Sequence, residues 1–211
     1  MSKRFLLILV AIAVGLGAIF WFTKDKSDSG TSSAQPTNHV KGTGSKGVTL
    51  IEYGDYQCPA CKAFHPILQQ VFNKYEGDIY FQFRNFPLTQ IHPNAFVGAR
   101  AAEAAGLQDK FWEMYDKLYE NQQAWSVSSS PNSYFEQYAS DLGLDVPKFK
   151  QDLLSFDINT LINADIKEAN KIGASATPTF VLDGKKLEEN PTDLEAFSKI
   201  IDNAIKAKNQ P

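Results

Sequence analysis

The sequence predicts an α/β domain in the order β-α-β, a helical block, then β-β-α, carried behind an apolar N-terminal segment. Three observations lead there: an uncharged run over residues 5–22, two short β-favouring runs that bracket an amphipathic helix, and an Asp-Gly turn between two further β-favouring runs near the C-terminus. The 211 residues are 43% hydrophobic and 21% charged, which excludes a wholly disordered chain. The formal charge is −3 and no long basic run appears, so nucleic-acid phosphates find no complementary face.

Lys3 and Arg4 precede residues 5–22, a run close to the roughly 20 helical residues that cross a bilayer. Trp21 suits the membrane interface. Residues 1–22 therefore read as an uncleaved transmembrane signal-anchor. A cleaved signal peptide is the alternative, with Ala13-Val14-Gly15 as its small-residue region. Lys3 and Arg4 inside would leave a single-pass protein in the cell membrane with its domain on the extracytoplasmic side, although Lys24 and Lys26 beyond the run weaken that bias. Residues 23–47 hold 13 Ser, Thr or Gly, with Ala34 and Val40 the only aliphatics, and read as a flexible linker that contains His39.

Residues 48–53 form a short apolar strand, broken by Gly54-Asp55-Tyr56-Gln57. Cys58-Pro59 opens a helix, since proline suits the first helical position. Phe64, Ile67, Leu68, Val71, Phe72 and Tyr75 give that helix one apolar face, and Pro66 predicts a kink in it. Ile79, Phe81 and Phe83 alternate with Tyr80, Gln82 and Arg84 as a second strand. Helical patterns follow over residues 93–107, 111–119, 134–142, 146–154 and 158–172. Residues 179–182, Asp183-Gly184 and residues 185–187 spell a hairpin with a type I′ turn. Leu194, Phe197, Ile200, Ile201 and Ile205 mark a last amphipathic helix.

The chemistry is concentrated at Cys58-Pro59-Ala60-Cys61, on the first turn of a helix that leaves a strand. The helix dipole and free backbone N–H groups stabilise a thiolate there. Cys58 at the tip is the expected attacking sulfur, and Cys61 one turn in the more buried resolving thiol. Such a pair forms and opens a disulfide by thiol exchange. Two other readings stay open. The pair is also half a zinc site, with His39, His65 and His92 as the chain's histidines. It could also be a structural disulfide, though so short a loop restrains the unfolded chain little.

The segment from Ile51 through Glu52, Tyr53 and Cys58 to Cys61 resembles the strand and active site of the DsbA-like branch of the thioredoxin superfamily. Ala176-Thr177-Pro178-Thr179-Phe180 resembles its cis-proline loop, and His92-Pro93-Asn94-Ala95 and Lys110-Phe111-Trp112 resemble segments of its helical insert. The resemblance spans residues 48–208. It implies a thioredoxin fold with halves at 48–91 and 174–208 and an inserted helical domain at 92–173. It also implies Pro59-Ala60 as the active-site dipeptide and a cis Pro178 against a redox-active Cys58–Cys61 disulfide. Thr177 would offer backbone groups to a substrate strand, and Glu52 would be a buried acid relaying a proton to or from Cys61. A water-exposed strand-edge position is the alternative for Glu52.

Ala60 stands where strong oxidants of the branch commonly carry histidine, which predicts a less oxidising pair. His65 falls outside the apolar stripe and is expected on a solvated helix surface, and His92 is expected to cap or pack near Pro93. Phe111, Trp112 and Trp125 read as core, with a binding groove as the alternative. The function implied is extracytoplasmic thiol–disulfide oxidoreductase, donating its disulfide to cysteine-containing translocated proteins. A quinone-linked membrane oxidase of the DsbB or VKOR type would reoxidise it, and no cofactor or metal is implied. A reductase or isomerase using the same residues, and a tethered chaperone or peptide-binding module, are the alternatives.

Overall fold

The computed structural model describes residues 35–209. The apolar run over residues 5–22, read as an anchor, lies outside them. Among the described residues no helix is long and apolar enough to cross a membrane.

A five-stranded sheet in the order β1-β3-β2-β4-β5 organises the domain. Its centre is β2 (Val48–Gly54), parallel to β3 (Ile79–Asn85) and joined to it by α1 (Pro59–Tyr75). On its other edge β2 pairs antiparallel with β4 (Thr179–Leu182), which turns into β5 (Lys185–Lys186). Asp183 and Gly184 both take positive φ, 49° and 77°, as a type I′ turn requires. The closing helix α8 (Leu194–Lys208) starts at Asp193, whose carboxylate accepts from the Ala196 N–H. Its Phe197 meets Phe64 of α1 and Phe180 of β4 edge to face, with centroids 6.4 and 5.2 Å away. Together with Val48, Leu50, Leu68, Val71 and Ile201 these residues build one core. Helix α1 runs unbroken through Pro66.

Between β3 and β4 the chain forms α2 (Ala95–Gly106), α3 (Phe111–Glu120), α4 (Gln122–Ser126), α5 (Asn132–Asp141), α6 (Val146–Asp152) and α7 (Phe156–Lys171). Ala99, Ala101, Ala102, Ala104 and Ala105 are buried on every side of α2, which lets neighbouring helices close around it. Trp125, Phe135, Phe149 and Ile162 complete a second core, which reaches the sheet at Phe83.

The linker expected over residues 23–47 is corrected over its described part. Residues 39–41 form β1 (His39–Lys41), antiparallel to β3 with His39 opposite Phe83 and Lys41 opposite Phe81. Thr37 is buried and donates its N–H and hydroxyl to Asp165 at 2.7 and 2.6 Å. His39 stacks on Phe111 with centroids 3.4 Å apart and meets Glu103 at 2.8 Å through Nε2. Downstream, the N–H groups of Thr43, Ser45 and Lys46 donate to the carbonyls of Glu76, Gly77 and Asp78. The physical reason lies in the partners. Without β1, β3 would be a sheet edge with open hydrogen bonds, and without Thr37 just before it the buried Asp165 would lose two of its donors.

Candidate active site

Strand β2 delivers the site. Gly54, its last residue, passes so close to Phe83 and Tyr119 that a Cβ would run into the Phe83 ring. Asp55 then shapes the turn. Its buried carboxylate accepts from the N–H groups of Gln57 and Leu88 at 2.7 and 2.9 Å and lies 2.7 Å from His92 Nδ1. Its carbonyl accepts from the Cys58 N–H at 3.0 Å. The insert clamps the same turn from outside. Gln122 donates to the carbonyls of Tyr56 and Cys58 at 2.8 and 2.9 Å, while Gln57 donates to the Ser126 carbonyl and accepts from the Asn94 N–H.

This turn leaves Cys58 at the N-cap of α1, ahead of Pro59, with Ala60 and Cys61 in the first turn. Both cysteines are free thiols, Cys58 7% exposed and Cys61 fully buried. Cys58 Sγ lies 3.4 Å from the Thr177 carbonyl. The Thr177–Pro178 peptide, in the loop before β4, is cis. A hydrogen bond from the Cys61 thiol pulls the Cys58 pKa down to about 5 against the opposing effect of burial, helped by the Thr177 side chain and the N–H groups of Cys61 and Ala60. The Thr177 hydroxyl is buried with no other partner, which leaves it free to donate once Cys58 ionises. Cys61 shifts the opposite way. Burial pushes it up, and the hydrogen bond to Cys58 and the charge of Glu52 add to that.

Glu52 is fully buried in the central strand, between Phe83 of β3 and Phe180 of β4, so the strand-edge alternative does not hold. Burial raises its pKa to about 8, against a hydrogen bond from the Tyr115 hydroxyl at 3.1 Å and the charge of Lys41. Its Oε1 and the nearby Tyr56 and Tyr119 hydroxyls are buried without partners. The arrangement can therefore hold one sulfur as a thiolate, keep its neighbour as a thiol, and offer a proton-exchanging carboxyl beside them.

His65 is not on a solvated surface. It is buried, with Nε2 2.8 Å from Asp116 and 3.2 Å from Gln69, beside the rings of Tyr115 and Tyr119. Helix α3 packs across α1 and supplies that acid, which no local pattern around His65 announces. His92 packs under the loop through Asp55. Phe111 and Trp125 are core, Trp125 donating Nε1 to the Leu118 carbonyl, and Trp112 is half-buried. Among the described residues no cluster of three or more His, Cys, Asp or Glu could hold a metal. Sequence reasoning missed Asp55, Gln57 and Gln122. Asp55 carries a signal, because an Asx residue after a strand commonly folds its own turn; Gln57 and Gln122 carry none.

A family model described as thioredoxin matches residues 34–203. The chain is 34% identical over 167 residues to the Na(+)/H(+) antiporter NhaA 1 of Mycolicibacterium gilvum, a match that covers 78% of this chain and 26% of that protein. It thus spans about a quarter of the length of that curated relative. It is 31% identical over 208 residues to the probable disulfide bond formation protein D of Bacillus cereus, covering 93% of each. Among solved structures it is similar to oxidised BdbD from Bacillus subtilis, with TM-score 0.71, 26% identity and coverage of 82% and 97%. Wolbachia pipientis α-DsbA1 shares the fold, with TM-score 0.70, 21% identity and coverage of 84% and 95%.

Proposed function

We propose, from the premise that this chain belongs to the thioredoxin family, that it is a thiol–disulfide oxidoreductase exchanging a Cys58–Cys61 disulfide with cysteines of other proteins. The observation that carries this reading is the opposed pair of shifts, Cys58 lowered to about 5 and Cys61 raised. In the forward direction a substrate thiolate attacks Cys58 Sγ and breaks the Cys58–Cys61 bond. Cys61 leaves as a thiolate and takes a proton from Glu52. The second substrate thiolate then attacks the substrate sulfur of the mixed disulfide and expels Cys58, a good leaving group because its thiolate is stabilised. The substrate is oxidised by two electrons and the pair is reduced by two. The Thr177 carbonyl and N–H would align the substrate strand beside Cys58.

Donation of the disulfide is the direction we assign. A thiolate held well below its ordinary range stabilises the reduced pair and so makes its disulfide oxidising. The backbone N–H of Ala60 is among the groups that hold it there, although its side chain offers nothing. The name of the Bacillus cereus relative, a probable disulfide bond formation protein, supports the same direction. Residues 1–22 would anchor the chain in the cell membrane, with the domain outside acting on translocated proteins. A quinone-linked membrane oxidase of the DsbB or VKOR type would restore the disulfide. Cys58→Ser is expected to abolish exchange, and Cys61→Ala to accumulate mixed disulfides on non-reducing gels. Full exchange activity in Cys58→Ser would refute the mechanism.

A further inference from the structure

The loop that carries Thr177 takes its hydrogen bonds from side chains. Residues 174–178 lie outside helix and strand, between α7 and the first residue of β4. Just ahead of them the Gly173 carbonyl accepts from Lys186 Nζ at 3.0 Å, and within them the Ala176 carbonyl accepts from the Thr179 hydroxyl at 2.7 Å. The Thr177 carbonyl lies 3.4 Å from Cys58 Sγ. The next carbonyl, that of Pro178, accepts from Asn190 Nδ2 at 2.8 Å. Thr179 then enters β4 opposite Tyr53 of β2. Two consecutive carbonyls are therefore engaged, one beside the reactive sulfur and one at Asn190.

Asn190 stands in residues 187–193, which join β5 to α8. Both ends of that connection are fixed. The Leu187 N–H donates to the Phe180 carbonyl at 2.9 Å, and Asp193 accepts from the Ala196 N–H at 2.8 Å where α8 begins. Pro191 follows Asn190 and favours an extended backbone there. The amide is thus aimed by a short segment anchored on each side. Asn190 is half-buried and lines a polar depression with Ser175, Thr179 and Lys186, outside the apolar cores. Removing its amide opens no core cavity and deprives the Pro178 carbonyl of its donor.

We propose that Asn190 is the positioning residue for the substrate strand: it holds the Pro178 carbonyl, and with it the Thr177 backbone against which a peptide pairs beside Cys58. This rests on the exchange reaction proposed above and adds to it a residue from the connection between β5 and α8. A Pro178 carbonyl free to turn would let the Thr177 backbone shift, and a peptide would have to order it on binding. A hydrogen bond already made in the free protein removes that ordering cost, so its loss is read in peptide affinity. A small dithiol such as dithiothreitol has no backbone to pair with Thr177 and meets Cys58 alone.

The test uses the full-length oxidised protein in mild detergent. Its reduction by a short extended peptide carrying two cysteines is compared with its reduction by dithiothreitol, both followed by alkylation of Cys58 and Cys61. Asn190→Ala is expected to raise the half-saturating peptide concentration about 3- to 10-fold while the limiting rate holds, and to lower the peptide-to-dithiothreitol ratio of second-order rates by the same factor. Asn190→Asp keeps the shape and sets an acceptor against the carbonyl. It is expected to lower that ratio at least as far, and gives the reading should the alanine variant not fold. A general loosening of the domain would lower both rates together. An unchanged ratio in the two variants, or a peptide loss confined to the limiting rate, overturns the proposal. If the wild-type protein is reduced by neither reagent, the exchange reaction itself fails and the Asn190 role fails with it.

Discussion

Two sulfurs three residues apart behave differently because their surroundings differ. Cys58 receives hydrogen bonds from Cys61, Thr177 and the opening turn of α1, whereas Cys61 lies in the dry core beside a carboxyl. Thiolate absorbance of the reduced protein is expected to rise with a midpoint near 5 and to lose that step in Cys58→Ser. A first midpoint in the ordinary thiol range would show that these hydrogen bonds do not hold the thiolate. Glu52 bears on stability in the opposite sense. Its pKa is raised in the folded state to about 8 from 4.5, so folding bears no penalty below 4.5 and loses stability as pH climbs from 4.5 to 8. Glu52→Gln removes that loss while keeping an acceptor for Tyr115. It is expected to stabilise the protein by on the order of 2–4 kcal/mol at pH 8 and hardly at all at pH 4. Denaturant unfolding at the two pH values measures it, and equal effects at both would mean that Glu52 is ionised throughout.

At the scale of elements, what the sequence announces and what it conceals divide along locality. Helix α1 shows its apolar stripe, Cys58 its place ahead of a helix-starting proline, and Asp183-Gly184 its turn, because each signal lies within a few residues of its effect. β1 has no such signal. Three residues in a Ser-, Thr- and Gly-rich stretch carry no period, and their strand exists because β3 offers an open edge and Asp165 and Glu103 need partners. His65 gives no local sign of its burial for the same reason, since the acid it meets sits 51 residues away. Burial pushes Asp165 up, and the hydroxyl and N–H of Thr37 with the N–H of Asn85 pull it back. Thr37→Val removes one of those donors from a buried carboxyl. It is expected to cost about 1–3 kcal/mol of unfolding free energy. Unchanged stability would show that the Thr37 hydroxyl contributes nothing to the fold.

At the scale of the whole domain, the site lies where two cores meet. The sheet and α1 supply Glu52, Cys58 and Cys61, and the loop before β4 supplies Thr177 and Pro178. The helical block supplies Asn94, Tyr115 and Gln122, which hold the cysteine-bearing turn and Glu52 in place. The helical block is therefore part of the active site, and the chemistry depends on long-range contacts that no single motif encodes. The central claim is that this assembly stabilises the reduced pair and so makes the disulfide a donor. The measurement that tests it most directly is the reduction potential of the full-length protein, equilibrated against glutathione with alkylation of Cys58 and Cys61. A value between about −120 and −180 mV is predicted, the range of disulfide-donating and isomerising relatives of the fold. A value at or below about −270 mV, where reductases lie, would contradict the account.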